Sequence, residues 1–249
     1  MDFQLDGRSA IVTGASRGLG RAIAVALAEQ GTRVLAVARD RSALESLAAL
    51  APEQIRVAAC DMLDLDAVAE LPQQALAAFG RLDIVVNNAG IAPAGEFLKQ
   101  EQAEWDRVMT VNVAAPAALA RAAGRQLAES GGGKIVNIAS TSGLLGKASL
   151  VAYSASKGAM LQFTKALAAE WARYNIQVNA IAPGAFETDA QKAVLESPDI
   201  LKRRLAKIPA RRMGEAAEIG PLVCYLASPL SDFVTGSVFV IDGGESSRL

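Results

Sequence analysis

Short, almost wholly apolar runs alternate with longer amphipathic stretches from one end of the chain to the other. The runs at 9–13, 32–38, 55–59, 82–86, 134–139, 177–181 and 238–241 have the composition of strands covered on both faces. Helical periodicity fills the intervals near 18–30, 41–50, 64–79, 101–129, 151–173 and 215–227. This alternation predicts an α/β fold: one doubly wound domain over 1–249, with a mostly parallel seven-stranded sheet and helices on both faces. No interior stretch has the composition of a linker.

Aromatic residues make up only 5% of the 249 residues, so Ala, Val, Leu and Ile must build the core. The 25 basic and 26 acidic side chains nearly cancel, which argues against nucleic acid or an anionic membrane as the main partner. No run approaches the ~18 apolar residues of a membrane span. The first eight residues carry charge where a signal peptide needs an apolar stretch. Cys60 and Cys224 are isolated, as suits a reduced compartment. The expected location is cytoplasmic.

The chain contains no histidine. That removes a Ser-His-Asp triad and the histidine-based zinc motifs, and no metal is expected. Acid/base chemistry must come from Tyr, Lys, Asp, Glu, Ser or Cys.

The segment 185–213 interrupts the rhythm with polar and helical signals and no strand. It would follow the C-terminal end of the 177–181 strand, where open α/β sheets bind ligands. The expectation is a substrate lid, with a plain pair of surface helices as the alternative.

Thr13-Gly14-Ala15-Ser16-Arg17-Gly18-Leu19-Gly20 joins the first strand to the first helix. Free N–H groups and the positive dipole end at a helix start favour a pyrophosphate. Glycines permit a tight turn and close approach of phosphate. The second strand ends in Ala38 and is followed by Arg39 and Asp40, without the acidic residue that selects a ribose 2′-hydroxyl. Arg17 and Arg39 together suit a 2′-phosphate, so NADP(H) is favoured and NAD(H) is the alternative. Otherwise Arg39 faces solvent and Asp40 caps the next helix.

Tyr153 and Lys157 stand four residues apart at the start of a helix, on one face. A phenol has an ordinary pKa of about 10, and a nearby ammonium lowers it. Such a pair can give or take the proton that accompanies hydride transfer. Ser140, thirteen residues upstream at the end of a strand, could orient a carbonyl; Thr141 and Ser142 compete for that part. Asn112 lies within an apolar helical stretch, either as a satisfied core amide or as part of a proton relay. Asn87-Asn88-Ala89-Gly90 and Pro183-Gly184 end two strands at the ligand-binding edge.

With TGASRGLG (13–20), Asp61, NNAG (87–90), Asn112, Ser140, YSASK (153–157), PGAFET (183–188) and IDGG (241–244) in this order, the chain resembles the short-chain dehydrogenase/reductase family. The resemblance runs from Thr13 to Gly244 and implies a Rossmann fold and an NAD(P)-dependent enzyme acting on a small-molecule alcohol/carbonyl pair. It implies Tyr153 as proton donor and acceptor and Ser140 as carbonyl orienter. Lys157 would hold the nicotinamide ribose and lower the phenol pKa; Asn112 would position a relay water. The implied cofactor contacts are Gly14, Ser16, Arg17, Gly18, Leu19, Gly20, Arg39, Asp61, Met62, Asn88, Ala89, Gly90, Tyr153, Lys157, Pro183, Gly184, Phe186 and Thr188. Phe186 departs from the family's smaller aliphatic residue and would place a ring beside the nicotinamide. The family is mostly tetrameric, which implies a homotetramer.

The stretch from Glu170-Trp171 to Gly214 resembles sugar-acid and polyol dehydrogenases, and the glycine loop equally resembles 3-oxoacyl-carrier-protein reductases. A cofactor-binding regulator would need a broken Ser/Tyr/Lys set. A nucleotide-sugar epimerase would need a larger C-terminal domain. An enoyl reductase would space its Tyr and Lys more widely.

Overall fold

Seven strands lie side by side in a computed structural model that describes residues 2–247. The extreme ends of the expected 1–249 domain (Met1, Arg248 and Leu249) lie outside the described residues. The strands are β1 (Ser9–Thr13), β2 (Arg33–Ala38), β3 (Ile55–Ala59), β4 (Ile84–Asn87), β5 (Gly133–Ile138), β6 (Ile176–Pro183) and, after two short ones, β9 (Val238–Ile241). Their order is β3-β2-β1-β4-β5-β6-β9, every pairing parallel. The chain runs outward from β1 to β3, then crosses back to β4 on the other side of β1. That reversal splays the two following loops apart and opens a crevice beyond the carboxyl ends of β1 and β4.

Five helices start within a residue or two of the expected positions: α1 (Gly18–Glu29), α2 (Arg41–Ala48), α3 (Leu65–Phe79), α4 (Gln102–Met109) and α6 (Val151–Trp171); α5 (Ala115–Glu129) begins inside the stretch expected to be one helix with α4. Asp40 and Asp64 cap α2 and α3 by accepting from the backbone N–H of Ala43 and Ala67, each at 3.0 Å. Ile23 and Leu27 of α1 pack on one face of the sheet; Leu71 of α3 and Leu119 and Leu127 of α5 pack on the other. The expected helix over 101–129 is interrupted. Residues Thr110–Ala114 form a π-helical turn between α4 and α5, with Asn112 at its centre.

The segment after β6 also differs from expectation. It holds a two-residue strand, β7 (Phe186–Glu187), paired in parallel with β8 (Gly214–Glu215). Between them lie α7 (Lys192–Leu195) and α8 (Pro198–Leu205). The sequence hid this ladder because two residues show no period. Ala185, Ile208 and Met213 form a small core of their own with Leu195, Leu201 and Leu205. Helix α9 (Gly220–Ala227) leads into the edge strand β9. Among the described residues, no helix is long and apolar enough to cross a membrane.

Candidate active site

The glycine loop packs chiefly against itself and against the turn after β4. Gly14 has φ +67°, and a Cβ there would lie 2.8 Å from Asn88 Nδ2 and 2.9 Å from Ala89 Cα. A Cβ on Gly20 would lie 2.2 Å from Gly14 O. Backbone packing by itself therefore requires glycine at these two positions, the tight-turn part of the motif's reading. Gly18, at φ +55°, meets only Thr188 at 3.5 Å and leaves the start of α1 open. No side chain caps α1, so its first N–H groups remain available to an anion.

Thr13 and Asn88 brace this loop. Asn88 Nδ2 donates to Thr13 O at 2.9 Å, and Thr13 Oγ1 accepts from the N–H groups of Asn88 and Ala89 at 3.0 and 3.1 Å. The Asn88 amide nitrogen is thus spent on the protein, although the residue lines the crevice as expected. A second buried chain runs from Asn87 Nδ2 to Asn137 Oδ1 at 2.8 Å, then from Asn137 Nδ2 to Thr164 Oγ1 at 2.9 Å. It fixes β4, β5 and α6 in one register. Asn137 and Thr164 were absent from the sequence reading, and Thr13 stood there only as the first residue of the glycine motif, because polar residues inside apolar elements leave no spacing signal.

A cavity of about 770 Å³ lies along the loop, lined by Ser16, Arg17, Gly18, Leu19, Arg39, Asp61, Met62, Asn88, Ala89 and Gly90 among others. Asp40 is the cap of α2, while Arg39 is exposed and borders the cavity. A solvent-facing Arg39 and a capping Asp40 are the second alternative offered for this dipeptide, and the place of Arg39 on the cavity edge also leaves it open to a 2′-phosphate. The cavity shares Arg17, Leu19, Gly90 and Thr188 with a second one of about 690 Å³, lined by Ser140, Tyr153, Lys157, Pro183, Gly184 and Phe186. Phe186 is 5% exposed and belongs to the core; its ring lies on Gly214, where a Cβ would stand 2.8 Å from Cε1. It forms a wall of the cavity and does not project as a free ring into it.

Ser140 precedes the turn Thr141–Gly143, and its Oγ accepts from the Ser142 N–H at 3.0 Å. The turn sits directly on α6: a Cβ on Gly143 would lie 2.6 Å from the Lys157 carbonyl carbon. This contact brings Ser140 into hydrogen-bonding reach of the Tyr153 hydroxyl, whereas Thr141 and Ser142 make no hydrogen bond to it among the described residues.

Lys157 is 4% exposed, and its Nζ donates to Ile138 O at 2.7 Å. The ammonium lies 5.7 Å from the Tyr153 ring centroid. Burial pushes its pKa down to about 8. Burial pushes the Tyr153 phenol up, and the Ser140 hydrogen bond opposes that rise. The expected lowering of the phenol by Lys157 is thus not the governing effect; burial is. Desolvation disfavours both charged forms and outweighs their attraction at this separation.

Asn112 is 1% exposed and well satisfied. Its Nδ2 donates to Ile91 O at 2.9 Å and to Ser156 Oγ at 3.0 Å, and its Oδ1 accepts from the Ile91 N–H at 2.9 Å. The π-turn supplies the room for this inward amide. One acceptor position on Oδ1 remains. A Cβ on Gly90 would lie 3.3 Å from Oδ1 and 3.5 Å from Lys157 Nζ, so the gap above Gly90 lies between the two groups.

A nicotinamide dinucleotide fits these residues. The open start of α1 suits its pyrophosphate. The buried Lys157 ammonium, with one hydrogen bond and no carboxylate partner among the described residues, has two N–H donors left for ribose hydroxyls. Loop, cavity and phenol together define a dinucleotide-dependent oxidoreductase. A family model described as enoyl-(acyl carrier protein) reductase matches residues 14–246. The 2-dehydro-3-deoxy-D-gluconate 5-dehydrogenase of Dickeya dadantii is 38% identical over 99% of this chain and 98% of its own. The L-tagatose-forming galactitol 2-dehydrogenase of Cereibacter sphaeroides is 41% identical over 97% and 96%. The structure of a gluconate 5-dehydrogenase from Burkholderia cenocepacia, in complex with NADP and tartrate, superposes with a TM-score of 0.94 at 35% identity, covering 100% of this chain and 98% of that one. The chain belongs to the short-chain dehydrogenase/reductase family and is an NAD(P)-dependent oxidoreductase of alcohol/carbonyl pairs.

Proposed function

We propose that the chain interconverts a secondary alcohol and its ketone with NADP(H), using Tyr153 as the proton donor and acceptor. The placement of Tyr153, Ser140 and Lys157 in one cavity continuous with the glycine loop carries this reading. When bound, the dinucleotide supplies or takes the hydride. Ser140 holds the substrate oxygen against the phenol, which gives the proton in reduction and takes it in oxidation. Lys157 holds the ribose and, once its remaining donors are engaged, favours the phenolate. Asn112 ties the turn after β4 to α6, and its free acceptor position with Lys157 flanks a relay water above Gly90.

Arg17 and Arg39, both exposed at the adenosine end, support NADP(H) over NAD(H); the Burkholderia relative was solved with NADP. Residues 185–213 act as the substrate lid, a reading supported by their separate small core and by Thr188, Gln191 and Arg204 on the cavity wall. The active species is a cytoplasmic homotetramer. Supporting this, the edge strand β9 carries the half-exposed Val240, and the chain before it carries the exposed Phe233.

Turnover of gluconate, galactitol and a 3-oxoacyl thioester with both dinucleotides, paired with dinucleotide binding, tests the proposal. Tyr153→Phe is expected to lose more than a hundredfold in turnover while binding NADPH normally. Arg39→Ala is expected to weaken NADPH by roughly 1.5–3 kcal/mol and leave NADH little changed. Full activity of Tyr153→Phe would refute the acid/base role, and equal weakening of both dinucleotides would refute the NADP preference.

A further inference from the structure

Lys147 and Arg204 line the same cavity as Ser140 and Tyr153, yet neither has a part in the chemistry above. Lys147 lies on the loop between the Thr141–Gly143 turn and α6. Its backbone N–H donates to Ser154 Oγ at 3.3 Å, which holds the loop beside Tyr153. Ser149 in this loop has φ +64°, a left-handed conformation that costs a non-glycine residue about 1–2 kcal/mol. Its carbonyl accepts from the Gly95 N–H at 2.9 Å, tying the loop to the far wall of the cavity. A strained, doubly anchored loop thus presents Lys147.

Arg204 comes from α8, on the other side. Its guanidinium grips Glu245 with two bonds, one of them from Nη2 to Oε2 at 2.7 Å. Lys147 takes part in no ion pair among the described residues. Glu245 is the one acid whose charge draws on Lys147, while Arg204 and Lys207 oppose its charge. Of the charged side chains lining this cavity, Arg17, Arg107, Lys147, Lys157 and Arg204 are basic and only Glu104 is acidic. Glu104 is itself engaged by Gln100 Nε2 at 2.7 Å. Arg17 belongs to the glycine loop and Lys157 to the catalytic set, so positive charge is left over at the substrate end.

We propose that Lys147 and Arg204 form a carboxylate clamp, so that the substrate is a hydroxy acid or its oxo acid. The inference rests on the oxidoreductase reading of the same cavity and names its substrate class. A carboxylate set between the two cations removes their mutual repulsion and forms charge-assisted hydrogen bonds to both. A neutral polyol or a thioester offers Lys147 no anion, and Glu245, the acid that draws on it, is already held by Arg204.

Calorimetric titration with tartrate tests the clamp without needing turnover. With NADP+ at saturation, the loop cations are occupied and do not compete for the probe. Wild type is expected to bind tartrate, and Lys147→Met to bind it at least tenfold more weakly. Lys147→Arg, which keeps the charge, is expected to restore most of the affinity. In turnover, the ratio of kcat/KM on gluconate to that on galactitol is expected to fall at least tenfold in Lys147→Met. Absence of tartrate binding to wild type, or equal binding by wild type and Lys147→Met, would overturn the clamp while leaving the oxidoreductase reading intact. Failure to bind NADP+ in the same cell would instead strike at that reading.

Discussion

A lysine held 4% exposed against a single carbonyl is an expensive choice at Lys157. The fall of its pKa from 10.5 to about 8 corresponds to roughly 3 kcal/mol of destabilisation at pH 7. Below about pH 8 the folded and unfolded chains both carry the proton, and the folded chain bears the whole penalty. Between about 8 and 10.5 only the unfolded chain keeps it, so the penalty fades as pH rises. Lys157→Met forfeits one hydrogen bond to Ile138 O, worth about 1 kcal/mol, and removes the larger charge penalty. The variant is therefore expected to be more stable than wild type by about 2 kcal/mol at pH 7, with the gap closing toward pH 10, and to be inactive. Urea denaturation at the two pH values checks this; a wild type more stable than the variant at pH 7 would contradict it. The YSASK spacing makes this residue visible in the sequence. Its burial is not visible there, because it depends on a distant segment, β5, whose Ile138 carbonyl accepts from Nζ.

At the level of elements, the site depends on how closely the Thr141–Gly143 turn approaches α6. Gly143 faces the helix backbone at Lys157 and Gly158, neither of which can swing aside as a flexible side chain would. Gly143→Ala must lift the turn and carry Ser140 away from Tyr153. Displacement of reacting groups by ~1 Å costs about a hundredfold in rate, while overpacking costs about 1–3 kcal/mol in stability. The expected result is a folded protein by circular dichroism with kcat reduced at least tenfold and NADPH affinity nearly unchanged. Gly95→Ala, whose Cβ would meet nothing within 4 Å, is the control. A Gly143→Ala variant with wild-type kcat would show that this approach does not position Ser140. The same scale explains the helix break. Apolar periodicity across 101–129 reads as one helix, and the amide of Asn112 opens a π-turn there because Ile91 and Ser156 engage it.

For the whole molecule, the proposed lid over 185–213 makes a prediction about exposure of that segment. It begins at β6, reaches across to the glycine loop at Thr188, and returns through Gly214 to β8. Its small core gives it packing of its own, while Arg204 ties it to Glu245 after β9. Trypsin has exposed targets there at Lys192, Lys202, Arg203 and Lys207. Cleavage within the segment is expected to slow at least severalfold when NADP+ and tartrate are both present, as read by mass spectrometry of the fragments. An unchanged rate would argue for two static surface helices in place of a lid.

The sequence by itself determined the sheet, its layers, and the candidate residues for the chemistry. Strand composition, helix periodicity and the TGASRGLG and YSASK spacings are local properties, and local backbone geometry enforces them. Only the tertiary structure decided why Gly14 and Gly20 must be glycine, that Asn88 braces the loop, that Phe186 is a wall, and that Lys147 and Arg204 line one cavity. Each of these depends on atoms from segments far apart in the chain, 57 positions apart for Lys147 and Arg204. Excluded volume and charge act through space, and no pattern of neighbours along the chain encodes which distant backbone will fill the space beside a given residue.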